Sequence, residues 1–215
     1  MFETVLNESI ILRAQKKCLV NIVIHNLRDW ADDKHGTVDD KAFGGGAGMI
    51  LKVNVIDHAL HDLKCKIKSA YLDGRRVKCK VIITDPRGKT FNQPKAKQFS
   101  KIDNLIIICG HYGGVDERVL ELVDEAISIG DFVLTGGEIP AMAITDAVVR
   151  LIPDVINAQS LQSETHSQKN YTQYPQYTRP EIFKPQSIKT KKALDVPKVL
   201  LSGNHKLIEE WRRNF

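Results

Sequence analysis

The chain has 215 residues, 42% of them hydrophobic and 27% charged, with a formal net charge of +5. That length carries one large domain, or one of ordinary size with an appendage, and the apolar share suffices for a core. No apolar run approaches the ~18 residues of a membrane span, so a soluble protein is expected; the basic balance, with a pI near 8.9, tilts toward a polyanionic partner without proving one.

The start, MFETVLNESIILRAQKK, lacks the basic region and greasy core of a secretory signal. Residues 6–16 carry mixed helical spacing, and Val20–His25 reads as a strand. Residues 29–48 are polar and then glycine-rich, which predicts a long loop. The run Gly44-Gly45-Gly46-Ala47-Gly48 either flexes freely or lets backbone approach a ligand closely, because glycine lacks Cβ. Lys34, His35, Asp39, Asp40 and Lys41 beside it suit a loop that closes over something polar.

From Met49 to Leu63 apolar residues recur at helical intervals. Val77–Thr84 is a strand entering the turn Asp85-Pro86-Arg87-Gly88, and Asn92–Phe99 a short helix. Leu105–Cys109 is the next strand, Asp116–Val123 a helix, Ile127–Leu134 a strand or turn, and Pro140–Leu151 a helix. Alternating strands and helices predict an α/β domain with a largely parallel sheet. Its ligand crevice then lies at the carboxyl ends of the strands. Residues 157–180 are polar, rich in Gln and broken by prolines, which reads as a linker. A basic helix begins after Ser202 or Asn204.

Cys18, Cys65, Cys79 and Cys109 form no Cys-x-x-Cys pair and match no histidine spacing. A zinc site is not expected, and a reducing, cytosolic compartment is. The turns CGHYGGVDERV (109–119) and SIGDFVLTGGEIPAM (128–142) each follow an apolar strand. Neither matches Gly-x-Gly-x-x-Gly, nor the Gly-Lys-Ser/Thr of a phosphate loop, which argues against a phosphate-binding hydrolase. Asp116 and Glu117 need no role beyond capping, and an arginine at a helix end, such as Arg150, is favoured by the dipole alone. Three glycines in one strand-end turn exceed what the turn needs. Backbone groups of such turns read an adenine edge while the missing side chains leave room for its ring.

Six stretches occur together: TVDDKAFGGGAGM (37–49), CGHYGGVDERV, SIGDFVLTGGEIPAM, DAVVRLIPDVI (146–156), YPQYTRPEIF (174–183) and VPKVLLSGNH (196–205). In this order the chain resembles the bacterial tRNA (guanine-N1)-methyltransferases, of the SPOUT class. The resemblance implies an α/β fold whose sheet ends in a deep trefoil knot, an exception to the rule against threading. It divides the chain into a knotted methyltransferase domain (1–156), a linker (157–173) and the start of a helical tRNA-binding domain (174–215). By the same comparison the family's first strand, ahead of Phe2, and most of its C-terminal helical domain, after Trp211, are missing; weaker tRNA binding is expected from that, with the cofactor pocket less disturbed.

The implied cofactor is S-adenosyl-L-methionine, held bent by three loops. Its expected contacts are Thr84, Asp85, Pro86 and Gly88; Cys109, Gly110, Tyr112 and Gly114; and Ser128, Ile129, Gly130, Asp131, Phe132, Val133, Leu134, Gly136, Gly137 and Pro140. The implied reaction is methylation of guanine N1 at position 37 of tRNA, by a homodimer that builds each site from both subunits. Guanine N1 carries a proton, so a general base must remove it, and positive charge must steady O6. Glu164 is the expected base and Arg150 the expected cation. Thr165 takes the base position in an ungapped alignment, and His166 is the remaining titratable neighbour. Gln173 and Gly113 stand where the family usually has acidic residues, so the alternative is an RNA-binding relative with weakened or lost catalysis. No metal is needed for methyl transfer itself, although family members are associated with Mg2+.

Overall fold

The structure is a computed structural model that describes residues 1–70, 77–111, 113–162, 164–166, 172–186 and 192–214. Two compact units divide the chain, Met1–Ala158 and Gln159–Phe215. Among the described residues no helix is long and apolar enough to cross a membrane.

The centre of the first unit is a three-stranded parallel sheet of β3 (Cys79–Thr90), β4 (Asn104–Cys109) and β5 (Glu125–Ser128), ordered β4-β3-β5. The alternation of β3 divides its apolar residues between two faces. Val81 and Ile83 pack with Val55, Ile56 and Leu60 of the long helix α3 (Val53–Ala70). Ile82 points the other way, into Ala96 and Phe99 of α4 (Gln93–Phe99) and Ile144 and Val148 of α5 (Glu138–Val149). Helices therefore cover both sheet faces, as a buried parallel sheet requires. Each fully buried Ile or Phe contributes about 1.5–3 kcal/mol of transfer free energy. A third cluster joins Leu6 of α1 (Phe2–Leu6) and Ile11 and Ala14 of α2 (Ser9–Lys16) to Val149.

Local chemistry sets the element ends. The Asn92 side chain accepts the Lys95 amide at 3.1 Å and so caps α4. Asp116 accepts the Arg118 amide at 3.0 Å, the expected cap, but the helix read over Asp116–Val123 is a 3-10 turn at Glu117–Glu121 that tucks Val119 into the core. Glu125, at the start of β5 and 9% exposed, meets Lys95 at 2.6 Å and Lys80 at 3.6 Å. Burial works against its charge, but those lysines outweigh it and hold the carboxyl below the usual range.

Three further sequence expectations change. Val20–His25 forms no strand: Val20 and Ile22 pack on the third cluster while Val23 and Ile24 are exposed. β-Branched residues favour extended backbone, but a strand also needs a ladder partner, and none pairs with it among the described residues. The supposed loop at 29–48 contains half of a hairpin, in which β1 (Asp39–Lys41) pairs antiparallel with β2 (Met49–Leu51). That pairing takes Met49–Leu51 away from α3, which starts at Val53 instead.

The second unit contains an antiparallel pair, Ile182–Phe183 with Leu194–Asp195, and the helices Lys198–Leu201 and His205–Arg213. Asn204 caps the last helix by accepting the Lys206 and Leu207 amides. Within this unit Tyr177 and Trp211 lie 6.4 Å apart, and the Arg212 guanidinium sits 4.8 Å over the Tyr174 ring.

Candidate active site

The chain leaves β4 on one side of β3 and returns as β5 on the other, so the loops after the strands diverge at this switch point. A cavity of about 610 Å³ opens there. That volume falls within the usual range for a small-molecule pocket.

Three loops build its wall. The first is an excursion within β3: Ile127 pairs with both Thr84 and Lys89, so residues 85–88 bulge out of the strand. Asp85 accepts the Arg87 amide at 2.7 Å, which tightens the excursion into an Asx turn. The Arg87 guanidinium then reaches both Asp85 and Glu117 at 3.1 Å. Burial opposes ionisation of Asp85, yet hydrogen bonds from Arg87 keep its carboxyl below the usual range.

The second loop, after β4, bonds to the third, before α5. The Gly137 amide donates to the Gly110 carbonyl at 2.6 Å, and His111 forms a bridge with Gly136. Thr84 joins them, its buried hydroxyl lying 3.2 Å from the Ile108 carbonyl and 3.4 Å from that of Gly137. A Cβ on Gly137 would overlap the Thr84 hydroxyl and come within 2.7 Å of the Gly110 nitrogen. His111 Nδ1 lies 3.3 Å from Glu138. Ser128 turns the third loop by donating to the Gly130 carbonyl at 2.9 Å.

Of the residues expected to contact a cofactor, Thr84, Asp85, Pro86, Gly110 and Gly114 line this cavity. So do Ser128, Ile129, Gly130, Phe132, Val133, Leu134, Gly136, Gly137 and Pro140. Gly88, Cys109 and Asp131 are outside the lining, and Tyr112 lies outside the described residues. Gly88 has a packing reason of its own, since a Cβ there would come within 2.5 Å of the Ala126–Ile127 backbone. Cys109 is half-buried; burial first, and the Glu138 charge second, push its thiol up to about 12.

Sequence reasoning missed Arg87, His111, Gly113, Val115, Glu117, Ile127 and Thr135, all of which line the cavity. Most sit inside the quoted turns, so the available signal was position within a turn rather than residue type. Glu117 is the instructive case: it reads as helix-start acidity, and it does lie there, but it also holds Arg87 at the cavity rim.

Arg150 ends α5, where its amide donates to the Asp146 carbonyl at 3.2 Å; its side chain is half-buried and outside the cavity lining. In the second unit Glu164 is half-buried, whereas Thr165 and His166 are exposed. The Thr165 hydroxyl accepts the Gln173 amide at 3.1 Å, so that side chain has a structural task. Among the described residues no group of three His, Cys, Asp or Glu is placed to hold a metal ion.

Comparison with known proteins gives one consistent result. The family described as tRNA (Guanine-1)-methyltransferase TrmD matches residues 1–215. A tRNA (guanine-N(1)-)-methyltransferase of Geobacter sp. (strain M21) is 47% identical over 214 residues, 99% of this chain and 79% of that protein. The protein of the same description from Bacillus subtilis (strain 168) is 46% identical over 213 residues, covering 99% of this chain and 81% of its own length. That from Enterococcus faecalis is also 46% identical over 213 residues, 99% of this chain and 80% of its own.

Proposed function

We propose that this chain, which belongs to the tRNA (guanine-1)-methyltransferase family, methylates guanine N1 of tRNA at position 37, with the glycine-lined cavity as its S-adenosyl-L-methionine pocket. The observation that carries the pocket assignment is the contact of Thr84, Gly110 and Gly137, residues from distant parts of the chain that meet with no room for a side chain on either glycine. Such a wall fits a flat adenine ring: glycines clear its faces, and amides and carbonyls meet its edge.

When bound, the cofactor supplies an electrophilic methyl group on a sulfonium sulfur. The residues of this chain do the rest. Loops 84–88, 110–114 and 128–137 hold and orient the donor, which converts a bimolecular collision into an aligned one. Glu164 takes the proton from guanine N1, and Arg150 balances the charge that builds on O6. Both roles rest on the family resemblance. So do a deep trefoil knot through these loops, a homodimer with shared sites, a linker over 157–173, a tRNA-binding role for 174–215, and a cytoplasmic location. Mg2+ dependence belongs with them, as an association of the family rather than a need of methyl transfer itself.

Transfer of labelled methyl to tRNA transcripts with G or A at position 37 tests the function, with transfer expected to the G transcript only. Tight binding of the transcript without transfer would instead indicate an RNA-binding relative that has lost catalysis. Glu164→Gln keeps the shape and removes the charge. Its single-turnover rate is expected to fall by roughly 10²–10⁴, with cofactor affinity unchanged. If that variant keeps the parent rate while His166→Ala loses it, the base is His166.

A further inference from the structure

The hairpin of β1 and β2 ends in a loop that the cavity does not absorb. Gly44, Gly45, Gly46 and Gly48 all have positive φ, and a Cβ on any of them would meet nothing within 4 Å. The loop thus stands clear of the body, and its glycines serve backbone angle rather than space. Phe43, at its start, is 99% exposed. A phenylalanine left wholly in water forgoes the burial its ring would gain against a partner.

The hairpin base fixes where that ring can act. Gly113 donates to the Met49 carbonyl at 2.9 Å, Leu51 to the Gly114 carbonyl at 3.1 Å, and Asp116 to the Leu51 carbonyl at 3.0 Å. Gly113 and Gly114 are themselves cavity wall. Met49 pairs with Lys41 across the ladder, and Phe43 is two residues beyond Lys41, or at most about 7 Å of chain at ~3.3 Å per residue. An exposed aromatic is therefore tethered by a short hairpin, hydrogen-bonded at its base, to the rim of the pocket.

Resting on the tRNA reading above, we infer that Phe43 is the stacking platform for the target guanine once that base has left the anticodon-loop stack. The reaction needs guanine N1, on the Watson–Crick edge, turned toward the donor, which leaves both ring faces to be supported. A side chain with a ring and no hydrogen-bonding group supports a face without competing for the edge. The glycines after it let the loop backbone lie close to the nucleotide, and exposed Lys41 supplies charge for its phosphate.

The test compares Phe43→Ala, Phe43→Leu and Phe43→Trp in single-turnover methyl transfer to a transcript with guanine at the target position, at saturating cofactor, and in binding to a second transcript that carries 2-aminopurine there as a fluorescent, non-substrate probe. Loss of base stacking is expected to slow Phe43→Ala and Phe43→Leu roughly tenfold to hundredfold, with Phe43→Trp near the parent. Quenching of 2-aminopurine by the parent is expected to weaken in the Ala and Leu variants, and cofactor affinity by calorimetry to stay the same. Parent-like transfer and quenching in Phe43→Ala overturn the inference, as does full rescue by Leu, which would make the contact merely apolar. A change of sedimentation mass in Phe43→Ala also overturns it, assigning the ring to a contact between copies. A parent that neither binds nor methylates the transcript would sink the tRNA reading itself, a result distinguishable from all of these.

Discussion

Two groups of glycines in one domain do opposite jobs. At the ends of the parallel strands, a Cβ on Gly137 in the cavity wall, or on Gly88 just outside it, would strike backbone or a buried hydroxyl, and neither residue has the positive φ that only glycine favours. In the hairpin loop, Gly44, Gly45, Gly46 and Gly48 have open space where a Cβ would stand, and positive φ throughout. The first group makes room and the second permits a path. On the page of a sequence the two are the same letter, although one carries packing energy and the other only conformational strain.

The largest effect is expected where space is shortest. In Gly137→Ala the new methyl must displace the Thr84 hydroxyl or push apart Gly110 and the start of α5, which are joined by a 2.6 Å hydrogen bond. Overpacking of this kind costs about 1–3 kcal/mol or more, equivalent to a Tm lowered by roughly 2–12 °C in a chain of this size. Cofactor binding should be lost with it, since the same atoms form the wall. Calorimetry showing unchanged S-adenosyl-L-methionine affinity in Gly137→Ala would break the comparison. Gly136→Val is the milder test: a Cβ there meets the Glu138 carboxylate and the His111 ring, which are side chains and can move.

Much of this was legible in the sequence. The apolar character of VKCKVIIT (77–84) and LIIIC (105–109) announced two strands, which pair in parallel, and the excess of glycine in CGHYGG marked a turn with more than turning to do. What the chain could not announce is partnership. Nothing in residues 37–51 says that Asp39–Lys41 will find Met49–Leu51, because pairing is decided by two segments together and three-residue strands leave almost no pattern. Val20–His25 shows the converse, a β-branched apolar run with no ladder to join among the described residues. The cavity was harder to read in its charged rim than in its glycines. Arg87 owes its place, and Glu117 its partner, to the excursion between Thr84 and Lys89, a register break that no local propensity encodes.

A second test asks whether the packed wall also protects its chemistry. Cys109 adjoins Gly110, and burial, helped by the Glu138 charge, pushes its thiol up to about 12. Only the thiolate reacts, so at pH 8 iodoacetamide should modify exposed Cys18 and Cys65 at least about tenfold faster than Cys109. The sign for stability follows from the same shift. Between the ordinary thiol range near 8.5 and about 12, the unfolded chain ionises this thiol while the folded chain does not, so stability falls as pH rises through that window. Cys109→Ala should remove that share of the alkaline slope, up to about 1.4 kcal/mol per pH unit. Equal labelling of Cys109 and Cys65 would mean that the wall opens on the labelling timescale.

The smallest effect belongs to the hairpin loop. Gly45 has φ +83° and nothing within 4 Å of where a Cβ would stand, so Gly45→Ala introduces no clash. What it introduces is a left-handed backbone angle on an alanine, a strain of about 1–2 kcal/mol. Part of that is returned, because alanine leaves the unfolded chain less entropy to lose. The net expectation is a Tm lowered by about 2–4 °C with cofactor affinity unchanged, since no cavity atom moves. Phe43 stays in place, and methyl transfer should slow only as far as the strained loop samples other paths. If Gly45→Ala instead abolishes cofactor binding as Gly137→Ala is expected to do, the loop packs on the pocket in solution and the two groups of glycines share one task. If it changes tRNA turnover while sparing the cofactor, the open path is itself part of how the nucleotide is received, and its four left-handed residues are kept for the substrate rather than for the fold.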